Sequence, residues 1–503
     1  MDKKTFYITT TLPYVNADPH IGFALELVQA DVIARYHRAR GEEVVFNMGT
    51  DEHGIKIYRK ALEAGQDPQT YVDEYAAKFE KLLKALNIST TNFIRTTEPR
   101  HQAAAREFWD RCLQNGDIYR AAYKTKYCIG CELEKTDSEL ENGRCALHPN
   151  LLIEEIEEEN YFFKFSKFQK PLLKFYKDHP DFVLPEFRFN EIKSFVESGL
   201  RDFSISRLKE KMPWGVPVPG DEKQVMYVWF DALVNYISTL GWPENKKHFE
   251  DFWGTAAESN AVQIAGKDNL RQQSAIWQAM LMSAGLPNSK QILIHGFVGV
   301  DGQKISKSLG NVVDPFPIVQ KYGLDAVRYF LLREIPSGED GDFSEKKLVE
   351  RYNGDLANGL GNLVQRVATL IDGNMDGELI YNASIIDKEL IGTVEEIQKK
   401  YDEHIGSFKL HEALADVWAL IGAANAYIND KKPWSLVKEN ASEFLTVMTN
   451  AVFLVYRIAN MLESFMPDTV NRIRETFGAE PVIPQIDGYK FLIKKGEGLF
   501  PRL

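Results

Sequence analysis

An α/β fold is what this 503-residue sequence predicts: a parallel sheet split by an insertion, followed by an all-α bundle. Three observations carry the expectation. Strand–loop–helix–strand units place polar residues at strand ends, a cysteine-rich stretch breaks that pattern, and strand signals stop in the C-terminal third. The first strand is KTFYITTTL (4–12), rich in β-branched and aromatic residues. A loop with Pro13 and Pro19 follows. A helix then begins near His20, with Leu25, Val28, Val32 and Tyr36 at helical spacing and Gly41 closing it. EEVVFNMGT (42–50) is the second strand, ending in the polar cluster Asp51-Glu52-His53-Gly54. Helices over 68–86 and 99–115 complete a first region, 1–116. From 117 to 215 a cysteine cluster, the acidic run Glu154 to Glu159 and aromatic segments such as NYFFKF predict an inserted domain. The α/β signals return over 216–342, where KQVMYVWF, AVQIAG and KQILIHGFV all read as buried strands. Beyond about 340 strands vanish. Amphipathic stretches over 343–372, 385–402, 407–430 and 440–465 predict a helical bundle spanning 343–503.

Length and composition bound the function. A chain this long needs two to four cores. Its 44% apolar and 26% charged content is ordinary for a globular protein. No uninterrupted apolar run reaches the ~18 residues of a membrane span, and MDKKTFYITT lacks the apolar segment of a signal peptide. A cytoplasmic protein with no membrane partner is expected. The net charge of −12 restrains indiscriminate nucleic-acid binding but leaves room for a local basic groove. Four cysteines in so large a chain argue against a disulfide framework.

Three motifs carry chemistry. In PHIGF (19–23) the first strand hands over to the first helix, whose free N–H groups suit phosphate. Gly22 lets the backbone approach closely, and His20 can donate to a phosphate oxygen. On the residues alone, a His at a helix start is more often a cap or a packed side chain. KISKS (304–308) puts Lys304 and Lys307 three residues apart on a Gly-flanked loop, where both can follow charge building on a polyphosphate. A solvated surface loop is the plainer alternative. Cys128-x2-Cys131-x13-Cys145-x2-His148 has two close ligand pairs, the spacing of a closed tetrahedral zinc site with a structural role. Cys112 lies in a helix and is expected to be a packed thiol.

An HIGx turn followed late in the same α/β region by a KxSKS loop resembles class I aminoacyl-tRNA synthetases. TLPYVNADPHIGF, GTDEHG, YVWFDALVNY, GKDN, HGFV, KISKSLGN and RYNGDLANGLGNLVQR narrow the resemblance to methionyl-tRNA synthetases. The zinc spacing and LFPRL fit as well, and the matches span nearly the whole chain. The resemblance implies a split Rossmann-type parallel sheet with an inserted zinc-binding connective domain. It implies ATP, Mg2+ and L-methionine as ligands and tRNA(Met), including the initiator, as partner. His20, Gly22, Asp268, Lys304, Ser306 and Lys307 then face ATP. Leu12, Tyr14, Trp229, Ala232 and Tyr236 resemble the methionine pocket, with Asp51 on the α-amino group; apolar, polarizable surroundings suit a thioether. Asn362, Arg366, Pro433 and Trp434 resemble the anticodon-reading residues. Trp434 alone would pass for a hydrophobic anchor.

Two departures from the family pattern involve three positions. Phe23 stands where the motif usually has a second histidine, and Gln272 and Gln273 replace a Phe-His pair that faces the methionine sulfur. Either amide can still bond a pocket tyrosine or touch the sulfur. Rival readings are a synthetase for another amino acid, a small-molecule nucleotidylyltransferase, and a non-catalytic RNA-binding paralogue. A monomer is expected.

Overall fold

Among the described residues, the central sheet has six strands: β1 (Thr5–Thr9), β2 (Glu43–Thr50), β3 (Asn92–Arg95), β4 (Val183–Leu184), β5 (Ala261–Gly266) and β6 (Gln291–His295). They come from a computed structural model that describes residues 4–131, 133–135, 137–255, 257–304, 311–478 and 488–503. The strand order is β3-β2-β1-β5-β6-β4. β1 runs parallel to β2 and β5, β2 to β3, and β6 to β4. All six residues of β5 are buried, so the strand is apolar on both faces apart from Gln263 and shows no alternation. Between β1 and β5 the winding order reverses. The carboxyl ends of strands at such a switch point frame a crevice, and ligands of α/β sheets bind there.

The chain divides into two compact units. The first takes the chain up to Pro19, Gly41–Lys84 and Ser89–Ile294; the second takes His20–Arg40, Ala85–Ile88 and His295–Leu503. In the first unit, the stretch that breaks the α/β pattern is a four-stranded antiparallel sheet. Its long pair is Ile118–Cys128 against Glu154–Phe163. The acidic run is therefore one strand, with Lys124 registered on Glu157 and Lys126 on Glu155. Lys124–Glu157 at 3.3 Å and Arg120–Glu159 at 2.7 Å are exposed ion pairs. Such pairs favour the right pairing and add little stability.

KQVMYVWF is a strand only in part. Asp221–Met226 pairs antiparallel with Ser206–Leu208 and Pro217–Val218, outside the central sheet, and Val228–Ala232 turns helical. A short apolar run buried all round has the same periodicity as a helix or a strand, so the pattern misled. KQILIHGFV also splits. β6 ends at His295, and Val298–Val300 joins Gln303–Lys304 and Gly341–Phe343 in a separate sheet. The break falls at Gly296, where a Cβ would lie 2.1 Å from the Glu339 carbonyl oxygen.

In the second unit, helices span Ile21–Ala39, Asn362–Asn374, Lys388–Gly406, Leu410–Lys431, Ala441–Leu462 and Pro467–Phe477. Strands do not vanish past residue 340: Glu378–Ile380 pairs antiparallel with Lys490–Leu492. Three-residue strands carry too little periodicity to register in a sequence. Ala441–Leu462 is long and apolar enough to cross a membrane, but 72% of its apolar window is buried, as in a core helix. Arg328 pins the unit together. It is fully buried, ion-paired to Asp31 at 2.8 Å, and donates to the carbonyls of Leu86, Ser464 and Phe465. A buried guanidinium with this many acceptors is neutralised and satisfied.

Candidate functional site

The carboxyl edge of the central sheet gathers the residues expected around an amino acid. Leu12 and Tyr14 follow β1, and Asp51 follows β2. A parallel backbone bridge joins Tyr14 to Asp51: Asp51 N donates to Pro13 O (3.0 Å), and Val15 N donates to Asp51 O (3.2 Å). Asp51 is only 7% exposed, so its carboxylate is held at the strand end in a desolvated place. Trp229 and Ala232 lie on the short helix Val228–Ala232, and Tyr236 on the next, Asn235–Ser238. Tyr14 and Trp229 pack against one apolar cluster, Tyr127, Tyr227 and Val228. The buried indole nitrogen of Trp229 makes no hydrogen bond among the described residues. Strand residues tie the helical pair down. Tyr7 donates to the Tyr236 carbonyl (2.8 Å), and Asn47 bonds both Asn235 and Thr239. Asp268, exposed, sits in the helical turn Lys267–Asn269 that leaves β5.

The two glutamines behave differently. Gln273 is buried and donates from Nε2 to the Tyr236 hydroxyl at 2.5 Å. Gln272 is buried as well, and its Oε1 makes no hydrogen bond among the described residues.

Sequence reasoning missed a buried charge cluster beside this edge. Asp231 Oδ2 lies 2.5 Å from His53 Nδ1, Asp231 Oδ1 lies 2.8 Å from His101 Nε2, and His101 Nδ1 lies 2.9 Å from Ser238 Oγ. Burial pushes the Asp231 carboxyl up, but His53 and then His101 outweigh it and hold the group at about 2. Asp231 lies between Trp229 and Ala232, so the cluster anchors the helix that carries them. His53 in GTDEHG and Asp231 in YVWFDALVNY were visible as motif residues, but their pairing was not.

In the second unit His20 is the N-cap of helix Ile21–Ala39, and its Nδ1 accepts from Gly22 N (3.1 Å). An imidazole nitrogen that accepts carries no proton, so the ring presents Nε2–H outward as a donor. A Cβ at Gly22 would meet His20 Cε1 at 2.9 Å, which explains the glycine. The Phe23 ring lies against the His20 ring, with centroids 4.4 Å apart. Ile21 N donates to Val313 O (3.0 Å), so the turn is tied to the segment just past the lysine loop. Lys304 ends the strand Gln303–Lys304. Ser306 and Lys307 lie outside the described residues.

Cys128, Cys131, Cys145 and His148 converge, all four ligand atoms lying within 4.8 Å of one another. Cys131 Sγ is 3.4 Å from Cys145 Sγ and 3.2 Å from His148 Nδ1. Tetrahedral zinc with S and N ligands has ligand–ligand edges of about 3.4–3.8 Å, so the set fits that ion. Gly130 is required, since a Cβ there would collide with the His148 ring at 2.4 Å. Burial and the hydrogen bond with Cys145 push the Cys131 thiol up, as expected of clustered sulfurs with no cation among them. Cys112 is a packed thiol as expected, fully buried and pushed up by burial to about 12.

Of the four residues expected to read an anticodon, all in the second unit, three reach its surface. Asn362 is exposed and Arg366 half-buried, four residues apart on one helix. The Arg366 guanidinium lies 5.7 Å from the Trp434 ring centroid and donates to Asn429 Oδ1 (2.8 Å). Trp434 is 48% exposed, whereas Pro433, at the start of helix Pro433–Glu439, is buried. An exposed indole stacked on a guanidinium is a platform for an unstacked base.

The family model described as tRNA synthetases class I (M) matches residues 6–146 and 130–368, and the one described as the anticodon binding domain of methionyl tRNA ligase matches 382–492. The chain is 43% identical to the methionine–tRNA ligase of Thermotoga maritima, over 99% of this chain and 80% of that protein. It is 40% identical to that of Brucella melitensis, over 95% and 93%. Its fold is similar to Mycobacterium tuberculosis methionyl-tRNA synthetase in complex with methionyl-adenylate. The TM-score is 0.93 at 36% identity, covering 99% of this chain and all of that one.

Proposed function

Because this chain belongs to the methionyl-tRNA synthetases, class I aminoacyl-tRNA synthetases, we propose that its residues activate L-methionine with ATP and charge tRNA(Met), the initiator included. The methionine carboxylate attacks the α-phosphorus of ATP. A P–O bond forms to the carboxylate oxygen, the bond to the β-phosphate bridging oxygen breaks, and pyrophosphate leaves. Methionyl-adenylate remains, and no enzyme atom enters a covalent bond. The terminal adenosine's 2′-hydroxyl then attacks the adenylate carbonyl and AMP departs.

The protein's part is positioning and charge stabilisation. Asp51 takes the substrate ammonium, which needs a carboxylate partner once it is out of water. Leu12, Tyr14, Trp229, Ala232 and Tyr236 enclose the thioether. His20 offers Nε2–H to a phosphate oxygen, and Gly22 with the helix N-terminus offers backbone N–H groups. Phe23 contributes by stacking on His20 and fixing its ring, in place of a second imidazole. Lys304, Ser306 and Lys307 follow the charge onto pyrophosphate, and Asp268 faces the ATP ribose. Mg2+ bound with ATP would supply neutralisation of the phosphate charge. Cys128, Cys131, Cys145 and His148 would hold a zinc ion with a structural role. Asn362, Arg366 and Trp434 read the anticodon bases, with Pro433 setting the angle at which Trp434 leaves its helix.

Residues 1–116 and 216–342 form the two halves of the catalytic domain, 117–215 the insertion, and 343–503 the anticodon-binding part. The observation that carries the reading is the hydrogen bond from Ile21 to Val313, which ties the His20 turn to the segment six residues past Lys307. Methionine-dependent ATP–pyrophosphate exchange tests it, with selenomethionine, norleucine and leucine as competitors. Exchange with methionine, weaker with norleucine and absent with leucine, is expected. No exchange with methionine would dismiss the proposal.

A further inference from the structure

Behind Tyr236 runs a chain of buried amide and hydroxyl groups whose hydrogen-bond directions are fixed at one end. The anchor is the backbone N–H of Ser289, a group that can only donate. It donates to Gln278 Oε1 at 3.0 Å. That settles which end of the Gln278 amide is oxygen, so its Nε2 faces the Gln273 carbonyl (2.9 Å) and Ser289 Oγ (3.1 Å). Ser289 Oγ accepts there and must spend its own proton elsewhere. It donates to Gln263 Oε1 at 2.5 Å. Gln263 Oε1 being the acceptor, its Nε2 donates to Gln273 Oε1 at 3.1 Å. Gln273 in turn has only Nε2 to offer Tyr236, and donates to the hydroxyl at 2.5 Å. Each step follows from the last, because an amide has one donor end and one acceptor end. The five residues are at most 2% exposed, so water does not scramble the order. The hydroxyl of Tyr236 therefore accepts from Gln273, and its own proton turns away from Gln273.

We infer that Gln263, Ser289 and Gln278 are positioning residues that, through Gln273, hold Tyr236 as a hydrogen-bond donor to the thioether sulfur of the substrate. The inference rests on methionine being the substrate, as proposed above. A thioether sulfur is a weak acceptor and never a donor, so a group that presents a proton to it discriminates it from a methylene, and one that presents a lone pair does not. An amide relay cannot change its polarity by titration, and the donor stays a donor without any ionisable group in the chain.

Norleucine is the probe, because it keeps the shape of methionine and replaces sulfur by CH2. Ser289→Ala removes the proton that orients Gln263, and Gln263→Leu removes the amide outright. Ser289→Thr restores the hydroxyl. The readout is kcat/KM for methionine divided by kcat/KM for norleucine in ATP–pyrophosphate exchange on the full chain. Ser289→Ala and Gln263→Leu are expected to lower that ratio about 10-fold, the worth of one buried hydrogen bond. Ser289→Thr is expected to hold it within about 2-fold of the wild type. Equal losses for both amino acids in Ser289→Ala would mark a purely structural role and overturn the inference. So would a ratio that ignores all three substitutions. Should either variant fail to fold, Gln273→Leu tests the same step next to Tyr236, and an unchanged ratio there also overturns it. Failure of the underlying reading looks different: the wild type would then show no exchange with methionine at all.

Discussion

Replacing Asp231 is the sharpest test of how the site is held. The carboxylate is fully buried between His53 and His101. Asp231→Ala leaves both imidazoles without their shared acceptor in a place water does not reach. Breaking a buried charged pair by deleting one partner costs about 3–5 kcal/mol, and each orphaned polar group accounts for about 1–3 of it. We expect a loss of ~4 kcal/mol. Asp231→Asn keeps the volume, and its amide can accept from one histidine while donating to a neutral ring nitrogen of the other, so ~1–2 kcal/mol is expected. Urea unfolding followed by tryptophan fluorescence suits the question. Six of the eight tryptophans lie in the first unit and report it preferentially. The acid limb adds an independent check. A carboxyl held at about 2 when folded, against about 3.9 when unfolded, binds fewer protons in the folded chain. Its stabilisation is present above pH ~4 and lost as pH falls toward 2, by ~2 kcal/mol. That part of the acid limb should disappear in Asp231→Asn. If Asp231→Ala cost less than ~1 kcal/mol, or Asp231→Asn kept the full acid limb, the cluster would not be the anchor described here.

Three further outcomes are expected. Lys307→Ala should slow adenylate formation by ~10²-fold or more with little change in methionine affinity, and an unchanged single-turnover rate would remove its assigned role. Cys131→Ser should reduce bound zinc, measured by metal analysis, from about one ion per chain toward none, with easier proteolysis of residues 128–148; full retention of zinc would contradict the four-ligand set. Trp434→Ala should lower kcat/KM for tRNA charging by about 10–100-fold through lost base stacking, and an equal loss in pyrophosphate exchange would show that the damage lies elsewhere.

How much of this was readable in advance depends on how local the signal is. AVQIAG matched β5 residue for residue because flanking polar segments bound a fully buried strand. The convergence of Cys128, Cys131, Cys145 and His148 was legible because pairs of Cys and His at short spacing have few other uses. YVWF failed because burial on all sides erases periodicity. Asp231 could not be read, since its partners are 178 and 130 residues away in sequence. The relay behind Tyr236 was equally silent. Four polar residues scattered from Gln263 to Ser289 mean nothing until the fold buries them together and gives each amide a direction.

Arg328 has a consequence for how the protein is made. Its counter-charge, Asp31, leaves the ribosome roughly 300 residues earlier, and at ~5–20 residues per second that is a wait of about 15–60 s. Meanwhile the helix Ile21–Ala39 carries an acidic group that burial would penalise until the guanidinium arrives. The carbonyls that complete the cage, Ser464 and Phe465, are synthesised later still. Translation speed over the last third of the message thus sets how long an early helix stays without its home.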